Sequence, residues 1–261
     1  MIQCSLDNLT PETLRRYARH MVLPSFGEDA QRKLLGASVV MVGAGGLGAS
    51  CLSYLAAAGI GHIGIIDADS VELSNLNRQI IHETGDIGRP KALSAQDRIS
   101  ELNPDCEVTP HLTRLNADNA LSILTHYDLV IDGTDNFETR YVINDTCMQL
   151  RKPWVYAAVR GWHAQLTSFR PDISFEDVCY RCLVPEAPPL RFNCEEGGII
   201  GPLVGTVGTL QALEAIRILT GIGTTMHGTL HRYDALANQW KISTLARDTQ
   251  CHHALRPERP L

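Results

Sequence analysis

Ala37 to Val42 is a short, β-branched apolar run that passes directly into Gly43-Ala-Gly-Gly-Leu-Gly48. Few folds accommodate that junction. A buried strand delivers the chain into a glycine turn, and the small apolar residues from Ala49 to Ala58 follow as a helix stopped by Gly59. His62 to Asp67 reads as a second strand. Strand, glycine turn, helix and strand together make one crossover unit of a parallel sheet, the core of a doubly wound α/β fold.

The alternation continues. Pro90–Leu102 has helical spacing, Cys106–Leu112 alternates like a strand, and Ala117–Leu124 is a short helix. Tyr127–Asp132 is a buried strand, Glu138–Leu150 a helix and Trp154–Val159 a strand. A basic helix, with Arg15, Arg16, Arg19 and His20, precedes this series and is capped by Asn8 or Thr10. Beyond residue 160 the texture changes. Ala164–Phe169 looks like a strand. Pro171, Pro185, Pro188 and Pro189 interrupt a long irregular segment up to residue 198. An apolar helix, Pro202–Leu219, and a hairpin near 228–233 and 239–245 close the pattern. The expectation is a Rossmann-like, largely parallel sheet with an antiparallel C-terminal extension.

Charge narrows the function. Among 261 residues, 23 Lys and Arg stand against 29 Asp and Glu, a net charge of −6. That balance disfavours a nucleic-acid binder. No apolar run reaches the roughly 18 residues of a membrane span, and Met1–Arg16 lacks a signal-peptide core. A cytoplasmic protein is expected, in which 8 cysteines are not a disulfide framework. Cys4, Cys51, Cys106 and Cys147 read as core residues, whereas Cys179, Cys182, Cys194 and Cys251 gather in the last third.

Gly43, Gly45, Gly46 and Gly48 allow backbone N–H groups to approach a phosphate at a helix N-terminus. Asp67 ends the next strand, where a carboxylate accepts ribose hydroxyls. These residues predict a nucleotide or dinucleotide site; the alternative is glycines serving helix–sheet packing alone. Asn75, Arg78, Gln79 and Lys91 carry donors suited to phosphate oxygens, or else line a solvated face. Asp135 lies at a strand's C-terminal end and suits Mg²⁺. The alternative there is a helix cap by Asp132, Thr134 or Asp135. Cys179-Tyr-Arg-Cys182 is half of a tetrahedral zinc site, a redox pair, or two unrelated thiols. Cys194 is either incidental or a nucleophile, with Glu195 and Glu196 tending to raise its pKa.

Six stretches in order resemble the ThiF/MoeB/HesA family of ubiquitin-activating-type adenylyltransferases. They are Arg16-Tyr-Ala-Arg-His20, the glycine loop, Ser74-Asn-Leu-Asn-Arg-Gln79, Asp132-Gly-Thr-Asp-Asn136, Cys179-Tyr-Arg-Cys182, and Gly201-Pro-Leu-Val-Gly205 leading into Gln211-Ala-Leu-Glu-Ala215. The resemblance implies ATP-dependent adenylation of the C-terminal glycine of a small ubiquitin-like sulfur-carrier protein, of thiamine or molybdopterin type. It implies that Asp67 holds the ribose. Asn75, Arg78, Gln79 and Lys91 would face the phosphates, and Asp135 would hold Mg²⁺ or position the attacking carboxylate. Arg19 would reach across a homodimer into the partner's site. Cys194 matches a cysteine that in some members captures the activated carrier or relays sulfur, drawn from a donor such as a cysteine desulfurase. The family's structural zinc takes a second C-x-x-C pair. Here only Cys251 is present, followed by His252 and His253, so the expected zinc ligands are Cys179, Cys182, Cys251 and either His252 or, preferably, His253.

One compact domain is expected, in three parts: a helical segment 1–36, a nucleotide-binding part 37–160, and a carrier-binding part 161–261 with the crossover loop and zinc site. A mobile lid is expected around 183–197. Two rivals remain: an NAD-dependent oxidoreductase, which leaves Asn75–Gln79, Lys91 and the cysteine pair unexplained, and an inactive scaffold of the same fold.

Overall fold

The computed structural model describes residues 9–174, 177–187 and 198–251. Its strands are β1 (Ser38–Val42), β2 (His62–Ile66), β3 (Glu107–His111), β4 (Leu129–Asp132), β5 (Trp154–Arg160), β6 (His163–Phe169), β7 (Thr229–Asp234) and β8 (Gln239–Thr244). They form one sheet in the order β3-β2-β1-β4-β5-β6-β7-β8. β1 to β5 pair in parallel, and β5 through β8 pair antiparallel. The expected parallel sheet with an antiparallel C-terminal extension is therefore found.

The helices are α1 (Pro11–Met21), α2 (Gly27–Leu35), α3 (Gly46–Ala58), α4 (Lys91–Leu102), α5 (Ala120–Leu124), α6 (Phe137–Leu150), α7 (Tyr180–Leu183) and α8 (Gly201–Thr220). Alternation along each strand sorts them into two layers. Val39, Met41, Ile63, Ile65 and Ile131 face α3, α4 and α8 through Leu52, Leu55, Ile99 and Ala212. Val40, Val42, Val130 and Trp154 face α5 and α6 through Leu124, Ile143 and Cys147. Burying one such side chain is worth about 1.5–3 kcal/mol, so both layers hold the strand ends in place.

Three features depart from the sequence reading. α2 went unread, because Ala30, Gln31 and Leu34 alone turn inward from a charged helix. The segment after Asp177 was expected to be irregular, yet Cys179 caps the single helical turn α7. Tyr180 anchors that turn, its ring 5.9 Å from Trp154 and 5.2 Å from Tyr156. Finally, α8 is by length and composition long and apolar enough to cross a membrane, contrary to the sequence expectation. It carries a fully buried Glu214, which accepts from Ser168 Oγ at 2.7 Å and Met226 N–H at 2.6 Å. A carboxylate satisfied in this way belongs to a protein core.

Cys51, Cys106 and Cys147 are core residues as expected, and burial pushes their thiols up, Cys106 to about 12. Cys4, Cys194, His252, His253 and residues 188–197 of the expected crossover loop and lid lie outside the described residues.

Candidate active site

β1 has β2 and β3 on one side and β4 on the other, so the winding reverses between β1 and β4. In doubly wound sheets the ligand crevice opens at that switch point, beyond the C-terminal strand ends. Gly43 and Gly133 leave those two strands and nearly touch. A Cβ on Gly43, at φ +96°, would stand 3.0 Å from the Gly133 carbonyl oxygen. The glycine loop then enters α3 at Gly46, with Gly45 as an N-cap that offers no side chain to the first N–H groups. Such donors, together with the helix dipole, are chemically suited to an anion.

The polar residues expected around a nucleotide converge here. Asp67 accepts from Ala44 N–H and from Asp69 N–H, each at 2.8 Å, so its carboxylate is tied to the glycine loop. Burial pushes that carboxyl up, against those two N–H groups and the Lys91 charge. Gln79 Nε2 is the nearest atom to a Cβ built on Gly45, at 3.8 Å, and Gln79 Oε1 is buried without a hydrogen-bond partner. Arg78 Cγ lies 3.5 Å from a Cβ built on Gly46. Its guanidinium folds back onto Ser74 O and Asn77 Oδ1, at 2.9 and 3.1 Å. Asn75 is buried and donates to Ser74 Oγ at 3.2 Å. Lys91 opens α4, also buried, with Nζ donating to Asp69 Oδ2 at 3.1 Å.

The Asp132–Asn136 stretch divides its work differently from the expectation. Asn136, not Asp132, Thr134 or Asp135, caps α6 by accepting from Thr139 N–H at 2.9 Å. Asp132 is fully buried and pairs with Arg140 Nε at 3.2 Å. Burial pushes the Asp132 carboxyl up, opposed by Arg140 and two bonds from Thr134. Gln211 of α8 donates to the Asp132 carbonyl at 2.7 Å. This buried knot braces the mouth of the crevice and leaves Asp135 exposed on its rim. Arg140 was not singled out in the sequence, since burial alone distinguishes it from a surface residue, and Gln211 was read as part of a matching stretch with no role of its own.

Arg19 is not brought to this crevice by its own chain. α1 buries Tyr17 against Gly59, and Asn103 donates to Tyr17 Oη at 2.9 Å. Gly59 closes the far end of α3, about 20 Å from the glycine loop at 1.5 Å per residue.

A second cluster lies under α7. Cys179 Sγ is 3.8 Å from Cys182 Sγ and 3.6 Å from Cys251 Sγ. Zinc–sulfur bonds of about 2.3 Å in a tetrahedron set sulfurs about 3.8 Å apart, so these three thiols fit a zinc ion. Burial pushes the Cys179 thiol up, as do the neighbouring sulfurs. Among the described residues no fourth ligand joins them.

A model of the ThiF family matches residues 17–253. The chain belongs to the ThiF family. Similar ThiF-type relatives include the sulfur carrier protein adenylyltransferase of Thermus thermophilus, 46% identical over 93% of this chain and 91% of that protein. The probable adenylyltransferase/sulfurtransferase MoeZ of Mycobacterium tuberculosis is 44% identical over 92% of this chain and 62% of its own length. The adenylyltransferase and sulfurtransferase MOCS3-2 of Zea mays is 43% identical over 94% and 51%. The chain thus spans about half to three-fifths of the MoeZ and MOCS3-2 proteins, and nearly all of the Thermus one. Among solved structures, E. coli MccB with ATP superposes with a TM-score of 0.81 at 21% identity, over 96% of this chain and 76% of that one. PaaA gives 0.79 at 19% identity, over 91% and 75%. These two share the fold.

Proposed function

We propose that this ThiF-family chain adenylates the C-terminal glycine carboxylate of a small ubiquitin-like sulfur-carrier protein with a Gly-Gly tail, consuming ATP and releasing pyrophosphate. The observation that carries the reading is the uncapped N-terminus of α3, ringed by Asp67, Arg78, Gln79 and Lys91. The name of the Thermus relative supports the carrier as substrate.

The chemistry asks little of proton transfer. The tail carboxylate is ionised at neutral pH and attacks the α-phosphorus directly, so no general base is required. Alignment and charge neutralisation supply the rate. Asp67 holds the ribose, and Gly43, Gly45, Gly46 and Gly48 present backbone N–H groups to the phosphates. Asn75, Arg78, Gln79 and Lys91 take the remaining phosphate oxygens. Asp135, on the rim, holds Mg²⁺, which neutralises triphosphate charge when bound. Arg19 enters the site of a partner copy in a homodimer.

The carrier is received by the part from residue 161 onward, where Tyr233 and Trp240 stack at 4.7 Å on the antiparallel extension. Cys179, Cys182 and Cys251 hold a structural zinc, with His253 as fourth ligand. Cys194 attacks the acyl-adenylate, forming a thioester and releasing AMP, and a donor such as a cysteine desulfurase supplies persulfide sulfur, in the cytoplasm. Carrier-dependent exchange of labelled pyrophosphate into ATP tests the reaction. Binding of NAD in place of ATP·Mg in a calorimetric titration would overturn it in favour of an oxidoreductase. ATP binding without exchange would mark an inactive scaffold.

A further inference from the structure

His82 is 6% exposed and has no part in the site as described so far. Its Nε2 lies 3.0 Å from the Ala44 carbonyl oxygen, and its Nδ1 lies 2.7 Å from Ser94 Oγ. A carbonyl only accepts, so Nε2 carries a proton and donates it to Ala44. Ser94 Oγ donates its one proton to Asp86 Oδ2 at 2.7 Å, and so accepts from His82 Nδ1. Asp86 is itself held by Glu83 N–H at 3.1 Å and Arg89 Nη1 at 2.6 Å. The ring is therefore fixed in rotation by a buried chain that starts on α4.

Ala44 is consequently gripped from both sides. Its N–H donates to Asp67 Oδ2, and its carbonyl accepts from His82. The Ala44 carbonyl and the Gly45 N–H belong to one planar trans peptide, in which they point in opposite directions. With the carbonyl turned down onto His82, the Gly45 N–H turns away from the protein interior. Among the described residues nothing accepts from that N–H. A backbone donor held in this way and left without a partner is arranged for a ligand.

We propose that His82 is a positioning residue of the nucleotide site, which by holding the Ala44 carbonyl aims the Gly45 N–H at a phosphate of ATP. The inference rests on the nucleotide reading given above. It is separable from the roles of Arg78 and Lys91, because His82 acts through the backbone and touches no ligand. Burial lowers the imidazole pKa, against its bond to Ala44 and the nearby Asp86 and Asp67 charges.

Calorimetric titration of ATP·Mg and of adenosine into wild type, His82→Leu and His82→Gln tests this. His82→Leu is expected to weaken ATP about tenfold to a hundredfold and to leave adenosine unchanged. His82→Gln, whose amide N–H still reaches the Ala44 carbonyl, is expected to restore most of the ATP affinity. Equal loss for ATP and adenosine, unchanged ATP binding in His82→Leu, or a His82→Gln no better than His82→Leu each overturns the proposal. Should His82→Leu not fold, Ser94→Ala carries the test: it releases the ring, and the same loss for ATP alone is expected. Wild-type chain that binds no ATP overturns the site reading together with this inference. Wild-type binding with an unaffected variant overturns this inference alone.

Discussion

A Cβ on Gly48 would stand 2.2 Å from the carbonyl oxygen of Gly43. The first turn of α3 thus folds back onto the exit of β1 with no room for a methyl group. Gly45, by contrast, meets just Gln79 Nε2 at 3.8 Å. Gly48→Ala is expected to destabilise the chain by about 1–3 kcal/mol through overpacking and to lose ATP binding with it. Gly45→Ala is expected to melt near wild type while binding ATP more weakly, because its methyl enters the phosphate space. Thermal melts paired with calorimetry separate the two; identical behaviour of both variants would contradict this division.

Lys91 Nζ pairs with Asp69 Oδ2 at 3.1 Å, and in the proposed reaction it turns to the triphosphate. Lys91→Met is expected to lower carrier-dependent pyrophosphate exchange about 10²–10³-fold, the usual cost of one lost charge stabiliser. Far-ultraviolet circular dichroism should remain that of wild type. Exchange within a factor of two of wild type would remove Lys91 from the site.

The sulfur separations at Cys179, Cys182 and Cys251 lead to a metal measurement. Protein purified without chelator is expected to carry about one zinc per chain by elemental analysis, and Cys182→Ser to carry much less. Chelation should lower the melting temperature of wild type and hardly affect that of Cys182→Ser. His253→Ala should fall between them if His253 is the fourth ligand. Wild type devoid of zinc would rule the site out.

Asp86 carries a pH dependence of definite sign. Burial pushes its carboxyl up, but Ser94, Glu83 N–H and Arg89 outweigh burial and hold it below the usual carboxylate range. A depressed carboxylate contributes stability above its unfolded pKa of about 3.9, and that contribution is lost as pH falls through the lower folded value. Asp86→Asn is therefore expected to be less stable than wild type near neutrality, with the gap closing below about pH 4. Urea melts over that range check it. A gap that widens in acid would reverse the assignment.

The parts legible in the sequence were those written in one dimension. Glycine spacing and strand alternation announced the Gly43–Gly48 loop, and the strand end announced Asp67. Cys251 was harder, because only the fold carries it to Cys179. His82 was illegible, since its partner is a backbone carbonyl at Ala44, which no residue pattern records. Arg140 looked like any helix-surface arginine until Asp132 was seen buried against it. The capping role went to Asn136 and not to its acidic neighbours because Asn136 alone has its oxygen at the Thr139 N–H. Residues with extended polar runs, such as those of α2, hide their few inward positions from any periodicity.

The seating of α1 at the far end of α3 carries a genetic consequence. In the proposed homodimer a copy that lacks Lys91 still lends its Arg19, and a copy that lacks Arg19 still offers its crevice. Two variants that are each dead, Arg19→Ala and Lys91→Ala, should therefore revive one another when mixed. Random pairing restores about a quarter of the sites, with one intact crevice in every mixed dimer. Dilution below the dimer's dissociation constant should abolish the revived activity and the wild-type activity alike.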